Sequence, residues 1–353
     1  MKLFYTDADL ERNEGKRKAI KDTLSELRDT IPWTRFLPIL QKTFRGKSPK
    51  APGGRPAFPL ELMMKVLVLQ RVYNLSDAQM EYQILDRNSF KDFLGLGVDS
   101  RVPDEKTIWY YRNELAKKKA DVQLFAAFDA FLMEKGGYVK EGVIVDASFI
   151  EVPRSKPTKE ENQSHEQKQQ KQEGEAPASE QEPSASPRER QLDYDAKWTK
   201  KNSKSYFGYK DHVKVDAGSK FITKYVVTPA NIHDSPVLHQ LLEPARDKGQ
   251  AVYADKGYTS WDNDFAIRGL GMKSRIMKKA VRNAPLTEKD KEWNQSISKI
   301  RARVEHVFGY IEIAMNRMYL RAKGLMRITF TTGLMNLVYN LLRYTTLQRA
   351  RSA

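Results

Sequence analysis

The apolar residues in the first part of the chain recur every three or four positions, and this period changes near residue 143. That spacing predicts helices over residues 14–140, where no strand-like alternation stands out. One helix is predicted over 60–73, a second follows the capping box Ser76-Asp-Ala-Gln79, and a third covers 105–117 behind the cap Asp104. Residues 1–140 are therefore predicted to form an all-helical region with tight, helix-turn-helix-like turns.

From residue 143 the pattern favours strands that alternate with helices. Residues 143–150 form an apolar run of strand type, and 207–215 alternate in polarity, as expected of a half-buried strand that turns into 221–228. The same criteria predict strands over 250–254 and 273–277, and helices over 235–248, 260–269 and 287–319. The expected fold is α+β, with an α/β layer core and a mixed sheet over 141–325. A helix predicted within 326–353 could cover this core or a partner.

Residues 155–191 interrupt the second region. They include no Leu, Ile, Val, Met, Phe, Tyr or Trp. Such a segment cannot bury enough apolar surface to offset its conformational entropy. We therefore predict a disordered insertion within the core, without chemistry of its own.

Cysteine is absent from the 353 residues, which excludes disulfides, thiol catalysis, iron–sulfur clusters and Cys-ligated zinc. The five histidines include no HExxH pair, so zinc is weakly supported. Phosphate-loop, dinucleotide-binding and hydrolase motifs are missing too, so no nucleotide cofactor is expected. Apolar runs reach only about four residues, and the first residues lack an apolar signal segment. We expect no membrane span and a cytoplasmic protein.

Positive charge is concentrated in the last part of the chain. Lys and Arg number 61 against 45 Asp and Glu in the whole sequence, and 27 against 13 in residues 201–353. Nucleic acid is the natural partner, although a well-solvated basic protein also fits, and an acidic membrane surface fits less well. The basic loop 45–56 and the helix over 105–117, which could also be a core element with a solvated face, supply candidate DNA-binding residues: Arg45, Lys47, Lys50, Arg55, Lys106, Trp109, Tyr110 and Arg112.

Three carboxylates are candidates for a reactive site. Asp146 and Asp255 each follow an apolar strand, and sites form beyond the carboxyl ends of strands in open α/β sheets. Glu305 borders the apolar stripe of the long helix, one turn from Arg301. Each acid could instead be a strand cap or a surface partner of Arg301, and Glu312 rivals Glu305. Oxygen ligands suit Mg²⁺, with Mn²⁺ as a substitute, and two ions about 4 Å apart would support phosphodiester cleavage.

Six short motifs follow one another along the chain: Pro103-Asp-Glu-Lys-Thr-Ile-Trp-Tyr-Tyr-Arg112, Val143-Ile-Val-Asp146, Tyr206-Phe-Gly-Tyr-Lys-Asp-His212, Thr228-Pro-Ala-Asn-Ile-His-Asp234, Ala254-Asp-Lys-Gly-Tyr258 and Arg303-Val-Glu-His-Val-Phe-Gly309. Together they resemble the bacterial insertion-sequence transposases of the DDE class, in particular the insertion-sequence-five group. Each motif alone is weak, but six in this order are specific, and the match covers most of the chain.

The resemblance implies an RNase H-like catalytic core in which Asp146, Asp255 and Glu305 bind two Mg²⁺ ions. It also places Arg301 in the family's Arg-then-Glu signature. The signature departs in two places, because Ser298 replaces a tyrosine and Glu312 replaces a basic residue that would contact a DNA phosphate. The candidate DNA contacts in the motifs are Lys210, His212, Lys256, Tyr258, Arg301 and Arg303.

The implied activity is DNA transposition. Such an enzyme binds the inverted-repeat ends of its element in double-stranded DNA, cuts there and joins the freed 3′-hydroxyls to target DNA. Because two ends must meet, a homodimer or larger assembly is expected on the nucleoid. A metal-dependent nuclease would share the carboxylates but would not need the helical region, and a DNA-binding regulator would not need intact carboxylates.

Overall fold

A computed structural model describes most of the chain. The described residues are 12, 22–45, 56–97, 99–154, 157–158, 160–161, 163, 188, 191–201, 203–281, 284–315 and 318–352. Most of the predicted insertion 155–191 lies outside these residues, and so do Lys47, Lys50 and Arg55 of the basic loop. Among the described helices, none combines the length and apolarity that a membrane crossing requires.

Before residue 143 the described chain forms helices and no strand. The α-helices are α1 (Thr23–Thr30), α2 (Leu37–Phe44), α3 (Leu60–Val72), α4 (Asp77–Asp86), α5 (Asn88–Leu94), α6 (Glu105–Lys117) and α7 (Ala120–Glu134). The predicted caps are confirmed. Ser76 and Gln79 form the capping box of α4, and the Asp104 carboxylate accepts the Thr107 N–H at 2.7 Å at the start of α6.

A mixed six-stranded sheet follows. Its strands are β1 (Val143–Glu151), β2 (Lys197–Lys201), β3 (Lys204–Asp216), β4 (Ile222–Pro229), β5 (Ala251–Ala254) and β6 (Lys273–Ile276). The order is β2-β3-β1-β5-β6, and β4 also pairs with β3. β1 runs parallel to β5 and antiparallel to β3. The predicted α+β fold with a mixed sheet is confirmed, and it is consistent with an RNase H-like core.

Strand β2 was not predicted from the sequence. Three of its five residues are lysines, and four are exposed, so it has no apolar alternation to detect. A Lys-rich strand is typical of a sheet edge, where positive charge discourages pairing with other chains.

The helices of the second region differ from the prediction in two places. The helix predicted over 235–248 is wrong, since the chain there forms a 3₁₀ turn, α8 (Leu238–Leu241) and α9 (Pro244–Asp247). Pro244 lacks an N–H and forces the preceding residue out of helical conformation. The later helices are α10 (Trp261–Gly269), α11 (Glu288–Ala314) and α12 (Leu325–Ser352). α11 ends before residue 319 because residues 318–320 pair instead with Glu151 at the end of β1.

Strand β3 is buried on both faces, so the prediction of a half-buried strand is wrong. Its polar residues Asp211, His212 and Lys214 are as inaccessible as its apolar ones. The Lys214 ammonium donates to Glu243 and Asp247, each at 2.6 Å, and these acids lie just before and within α9. The polar face of the strand is therefore covered by the loop and short helices that follow β4.

The C-terminal helix α12 packs on the core. Its apolar residues share one hydrophobic cluster with α1–α7, with α11 and with one face of the sheet. The side-chain amide of Asn340 bonds both backbone groups of Ile222 in β4, at 3.0 and 2.7 Å, and Asn336 donates to Asp211 at 3.1 Å. The helical region and the sheet are thus joined by α12.

We predict that Asp211→Asn stabilises the protein at neutral and alkaline pH. Burial raises the pKa of Asp211 to about 7, and one of its carboxylate oxygens has no hydrogen-bond partner. Because the pKa of Asp211 is higher in the folded than in the unfolded protein, its contribution to the free energy of unfolding is complete below the unfolded pKa of about 3.9 and is lost as the pH rises through 7. Asparagine has no charge to bury, so the variant does not lose this stability at high pH. Urea unfolding should show a gain on the order of a few kcal/mol at pH 8 and little difference near pH 4.

The matched control is Asp216→Asn. The Asp216 carboxylate accepts the Ser219 N–H at 2.8 Å, the Ser219 hydroxyl at 2.6 Å and the Lys140 N–H at 3.0 Å. This variant should lose stability at both pH values. An Asp211→Asn variant that behaves in the same way would contradict the prediction.

Candidate active site

Asp146 and Asp255 lie side by side where the parallel pairing of β1 and β5 ends. The last paired residues are Val145 and Ala254, and each aspartate is the next residue of its strand or loop. This edge carries the carboxyl ends of β5 and β6, where sites form in sheets of this kind. The prediction that both aspartates lie near the carboxyl ends of strands is right for Asp255, which follows β5, but it is wrong for Asp146, which is the fourth residue of the nine-residue strand β1. β1 continues to Glu151 because its residues after Asp146 still pair with β3.

The Asp146 side chain is mostly buried and forms an ion pair with Arg301. Its Oδ2 accepts from the Arg301 guanidinium at 2.6 Å, and its Oδ1 accepts the Ala147 N–H at 2.9 Å. Burial raises the pKa of Asp146, Arg301 and the Ala147 N–H oppose that rise, and the neighbouring Asp255 adds to it. Two carboxylates so close together need positive charge between them.

Asp255 begins the 3₁₀ turn Lys256–Tyr258. Its Oδ1 accepts the Gly257 N–H at 2.7 Å, and a Cβ on Gly257 would lie 2.9 Å from that oxygen. Glycine therefore allows the turn to close tightly on the carboxylate. Tyr258 points inward, and burial together with Asp234, Asp146 and Asp255 raises the pKa of its hydroxyl well above the ordinary value.

Helix α11 brings Arg301 to Asp146, but it leaves Glu305 in solvent. Glu305 follows Arg301 by one turn and lies on the same flank of the helix, without a hydrogen bond or ion pair among the described residues. Glu312 is also exposed and lies eleven residues beyond Arg301, roughly 16 Å along the axis. The structure therefore favours Glu305 over Glu312 as the acid nearer to the aspartates.

The donor atoms suit a divalent cation, although the expected set is incomplete. Within the part of the chain that the structure describes, no three His, Asp or Glu side chains converge closely enough to hold a metal ion. Asp146 and Asp255 supply hard oxygen ligands whose mutual repulsion a divalent cation would relieve. The Arg301 guanidinium provides that positive charge in this structure. Two of the three expected ligands are thus adjacent.

Lys210 and His212 lie on the other face of the sheet. The Lys210 ammonium donates to Asp234 at 2.7 Å, and the His212 ring bonds the Thr228 hydroxyl at 2.9 Å. Burial lowers the pKa of His212 to about 4, and Asp234 only partly opposes this. His212 and Tyr258 are fully buried, so the prediction that they contact DNA directly is corrected.

The remaining candidate DNA contacts fall into two groups. Arg112 and Arg303 already have protein partners, since Arg112 pairs with Asp77 and Arg303 bonds Glu141 at 3.1 Å. The others are exposed, and they are Arg45, Lys106, Trp109, Tyr110 and Lys256. The exposed face of α6 therefore carries Lys106, Trp109 and Tyr110, whereas Arg112 turns toward α4.

Sequence reasoning did not assign a role to Asp234. Its carboxylate bonds Lys210, lies 3.9 Å from His212, and contributes to the field at Tyr258. The motif Thr228–Asp234 contained the signal, but it gave no indication that Asp234 meets residues of β3. That contact depends on how the loop after β4 folds back over the sheet.

Transposase family models match both parts of the chain. A model described as a transposase DDE domain matches residues 137–341, which is more than half of the chain. A model described as a transposase domain (DUF772) matches residues 12–114. No solved structure matches the chain. Asp146, Asp255 and Glu305 all lie within the first match.

We predict that Arg301→Met destabilises the protein by about 3–5 kcal/mol, because it leaves a buried carboxylate beside Asp255 without a cation. Excess Mg²⁺ should recover part of that loss by binding between the aspartates. Urea unfolding with and without Mg²⁺ measures both effects.

The control for this prediction is Arg303→Met. Arg303 pairs with Glu141 near the surface, so its loss should cost less than about 1 kcal/mol and should not respond to Mg²⁺. Equal losses in the two variants would contradict the role of Arg301. A Mg²⁺ effect that persists in Arg301→Met/Asp255→Asn would show that the ion binds elsewhere.

Proposed function

Because the chain belongs to the family of transposases with a DDE domain, we propose that it binds the inverted-repeat ends of an insertion sequence, cuts the DNA there and joins the freed 3′-hydroxyls to target DNA. The observation that carries this proposal is the placement of Asp146 and Asp255 beside each other at one edge of the sheet. The six sequence motifs further support membership of the insertion-sequence-five group, and we propose the nucleoid as the place of action.

Transposases of this class generally use divalent metal ions, and we propose that Asp146, Asp255 and Glu305 hold two Mg²⁺ ions here. Ions held there would supply a lower pKa for the attacking water or 3′-hydroxyl and positive charge for the leaving oxygen. Glu305 is exposed, has no partner among the described residues and lies one turn from Arg301. Its side chain is therefore free to turn toward the aspartates.

Several residues of this chain would position the reacting DNA. Arg301 holds the Asp146 carboxylate in place at 2.6 Å. Lys256 directly follows Asp255, is exposed and has no ion pair in the described part of the chain, so it is available to a phosphate. Tyr258 is the last residue of the turn Lys256–Tyr258, and its buried side chain anchors that turn.

Recognition of the element ends falls to the helical region, in this proposal. The transposase-domain match over 12–114 includes most of α6, whose exposed face presents Lys106, Trp109 and Tyr110. The pairing of Arg112 with Asp77 fixes α6 against α4. Joining requires two ends in one complex, so we also propose a homodimer or larger assembly on DNA.

We predict that Asp146→Asn, Asp255→Asn and Glu305→Gln each reduce cleavage by roughly a thousandfold or more, the scale expected when a catalytic group is removed. Binding of the element end should remain nearly intact. Glu312→Gln is the matched control and should retain activity, because Glu312 lies too far along α11. If Glu312→Gln is inactive and Glu305→Gln is active, the wrong glutamate has been chosen.

The decisive assay incubates the protein with Mg²⁺ and labelled duplex DNA that carries the termini flanking its gene. Cut and joined products that are absent with Asp255→Asn would establish transposition at this site. Cuts without joining would favour a nuclease. Binding without any metal-dependent product would favour a DNA-binding regulator.

A further inference from the structure

Strands β2 and β3 extend beyond the rest of the sheet as a two-stranded projection, which we call the β2–β3 arm (Lys197–Lys201 and Lys204–Phe207). Its strands pair from Lys197 with Gly208 to Lys201 with Lys204. The tip pair lies nine residues along β3 from Val213, the partner of Asp146. At about 3.3 Å per residue, the arm reaches roughly 30 Å past Asp146.

Gly208 marks the base of this arm, where β3 passes the end of β1. Its φ is +148°, and a Cβ there would lie 2.1 Å from the Ile150 carbonyl oxygen. Only glycine permits so close an approach. The arm is therefore anchored to the strand that carries Asp146.

The exposed charges of the arm are all positive. Lys197, Lys200, Lys201 and Lys204 are exposed, and the arm sequence contains no Asp or Glu. Across the described residues, none of these lysines forms an ion pair, in contrast to Lys210 and Lys214 further along β3. Unpaired cations on a narrow projection favour a polyanionic partner.

Aromatic rings stiffen the arm and hold its cations. Phe149 and Tyr206 stack at 4.5 Å with their planes 7° apart, and Lys201 and Lys204 lie over these rings at 5.6 and 5.0 Å. On the other side, Arg154 lies over Trp198 at 5.6 Å. Side chains restrained in this way lose less conformational freedom when they bind a phosphate.

We propose that the β2–β3 arm binds the phosphate backbone of duplex DNA that leaves the sheet edge with Asp146 and Asp255, within about nine base pairs of the reacting phosphate. A two-stranded ribbon has the width to follow a groove of B-form DNA, and lysines contact phosphates without reading sequence. This inference rests on the proposed function, because it takes from it the DNA held at Asp146 and Asp255. The duplex can be the element end or the DNA outside it.

The test compares Lys200→Gln/Lys201→Gln/Lys204→Gln with a control of equal charge change, Lys135→Gln/Lys248→Gln/Lys273→Gln. Glutamine keeps an uncharged side chain over the rings. Lys248 and Lys273 are exposed near the opposite edge of the sheet, where β5 and β6 begin, and Lys135 follows α7. Both triple variants are made in the Asp255→Asn protein, so that binding is measured without cleavage. The dissociation constant for labelled terminal duplex is recorded over a series of salt concentrations.

The arm variant should lower the slope of log affinity against log salt by about 2–3, because each lost phosphate contact removes about 0.9. The control should leave the slope nearly unchanged, and Lys→Arg at the three arm positions should restore it. Two further probes are shortened, one on the element side of the terminus and one on the outer side. The arm-dependent part of the slope should disappear only with the probe that lacks the side bound by the arm, which shows whether the arm binds the element end or the DNA outside it.

An unchanged slope in a folded arm variant would overturn the inference. If that variant also self-associates more strongly, the lysines serve to protect an edge strand from pairing with other chains. Equal slope losses in the arm and control variants would overturn it as well, since they would report net charge alone. Cleavage and joining by the protein with its arm intact are measured separately. Their failure would remove the proposed function without affecting the binding comparison.

Discussion

The parallel pairing of β1 with β5 places two carboxylates side by side, and the electrostatic repulsion between them is the main constraint on this edge of the sheet. Val145 and Ala254 are the last paired residues, so Asp146 and Asp255 emerge together. Burial and mutual repulsion both raise the pKa of Asp146. Arg301 meets the resulting need for positive charge from α11, at 2.6 Å. The same need makes the edge suitable for a divalent cation, which relieves repulsion more strongly than a single guanidinium.

Helix α12 connects this edge to the helical region. It contributes to the hydrophobic cluster that includes α1–α7 and one face of the sheet, and Asn336 and Asn340 bond β3 and β4 directly. At its start, the Gly324 and Leu325 N–H groups donate to Asp193 and Asp195, which precede β2. DNA held on α6 and DNA held at the aspartates would therefore be attached to one continuous packed body.

The ion pairs in the structure determine which Lys and Arg side chains remain free to bind DNA. Lys210 and Lys214 are buried and Arg301 is partly buried, and each pairs with an acid, so they add to the net charge of +16 without adding free cations to the surface. Strand β3 contains both cases, because its middle is covered on both faces and its first residues form the exposed arm. The formal charge of a sequence therefore does not locate a DNA-binding surface until the ion pairs are known.

The sequence alone determined the caps at Ser76 and Asp104, most of the strand-and-helix order after residue 143, and the position of Asp255 after an apolar strand, because these depend on neighbours a few residues apart. It missed β2, which has no apolar alternation, and it extended a helix through Pro244. Only the tertiary structure decided that His212 and Tyr258 are buried, that Arg301 rather than Glu305 meets Asp146, and that the β2–β3 arm carries exposed lysines that form no ion pair with other described residues. Those outcomes depend on strand register and on packing between residues far apart in the chain, such as Asp146 and Arg301, and no local pattern specifies them.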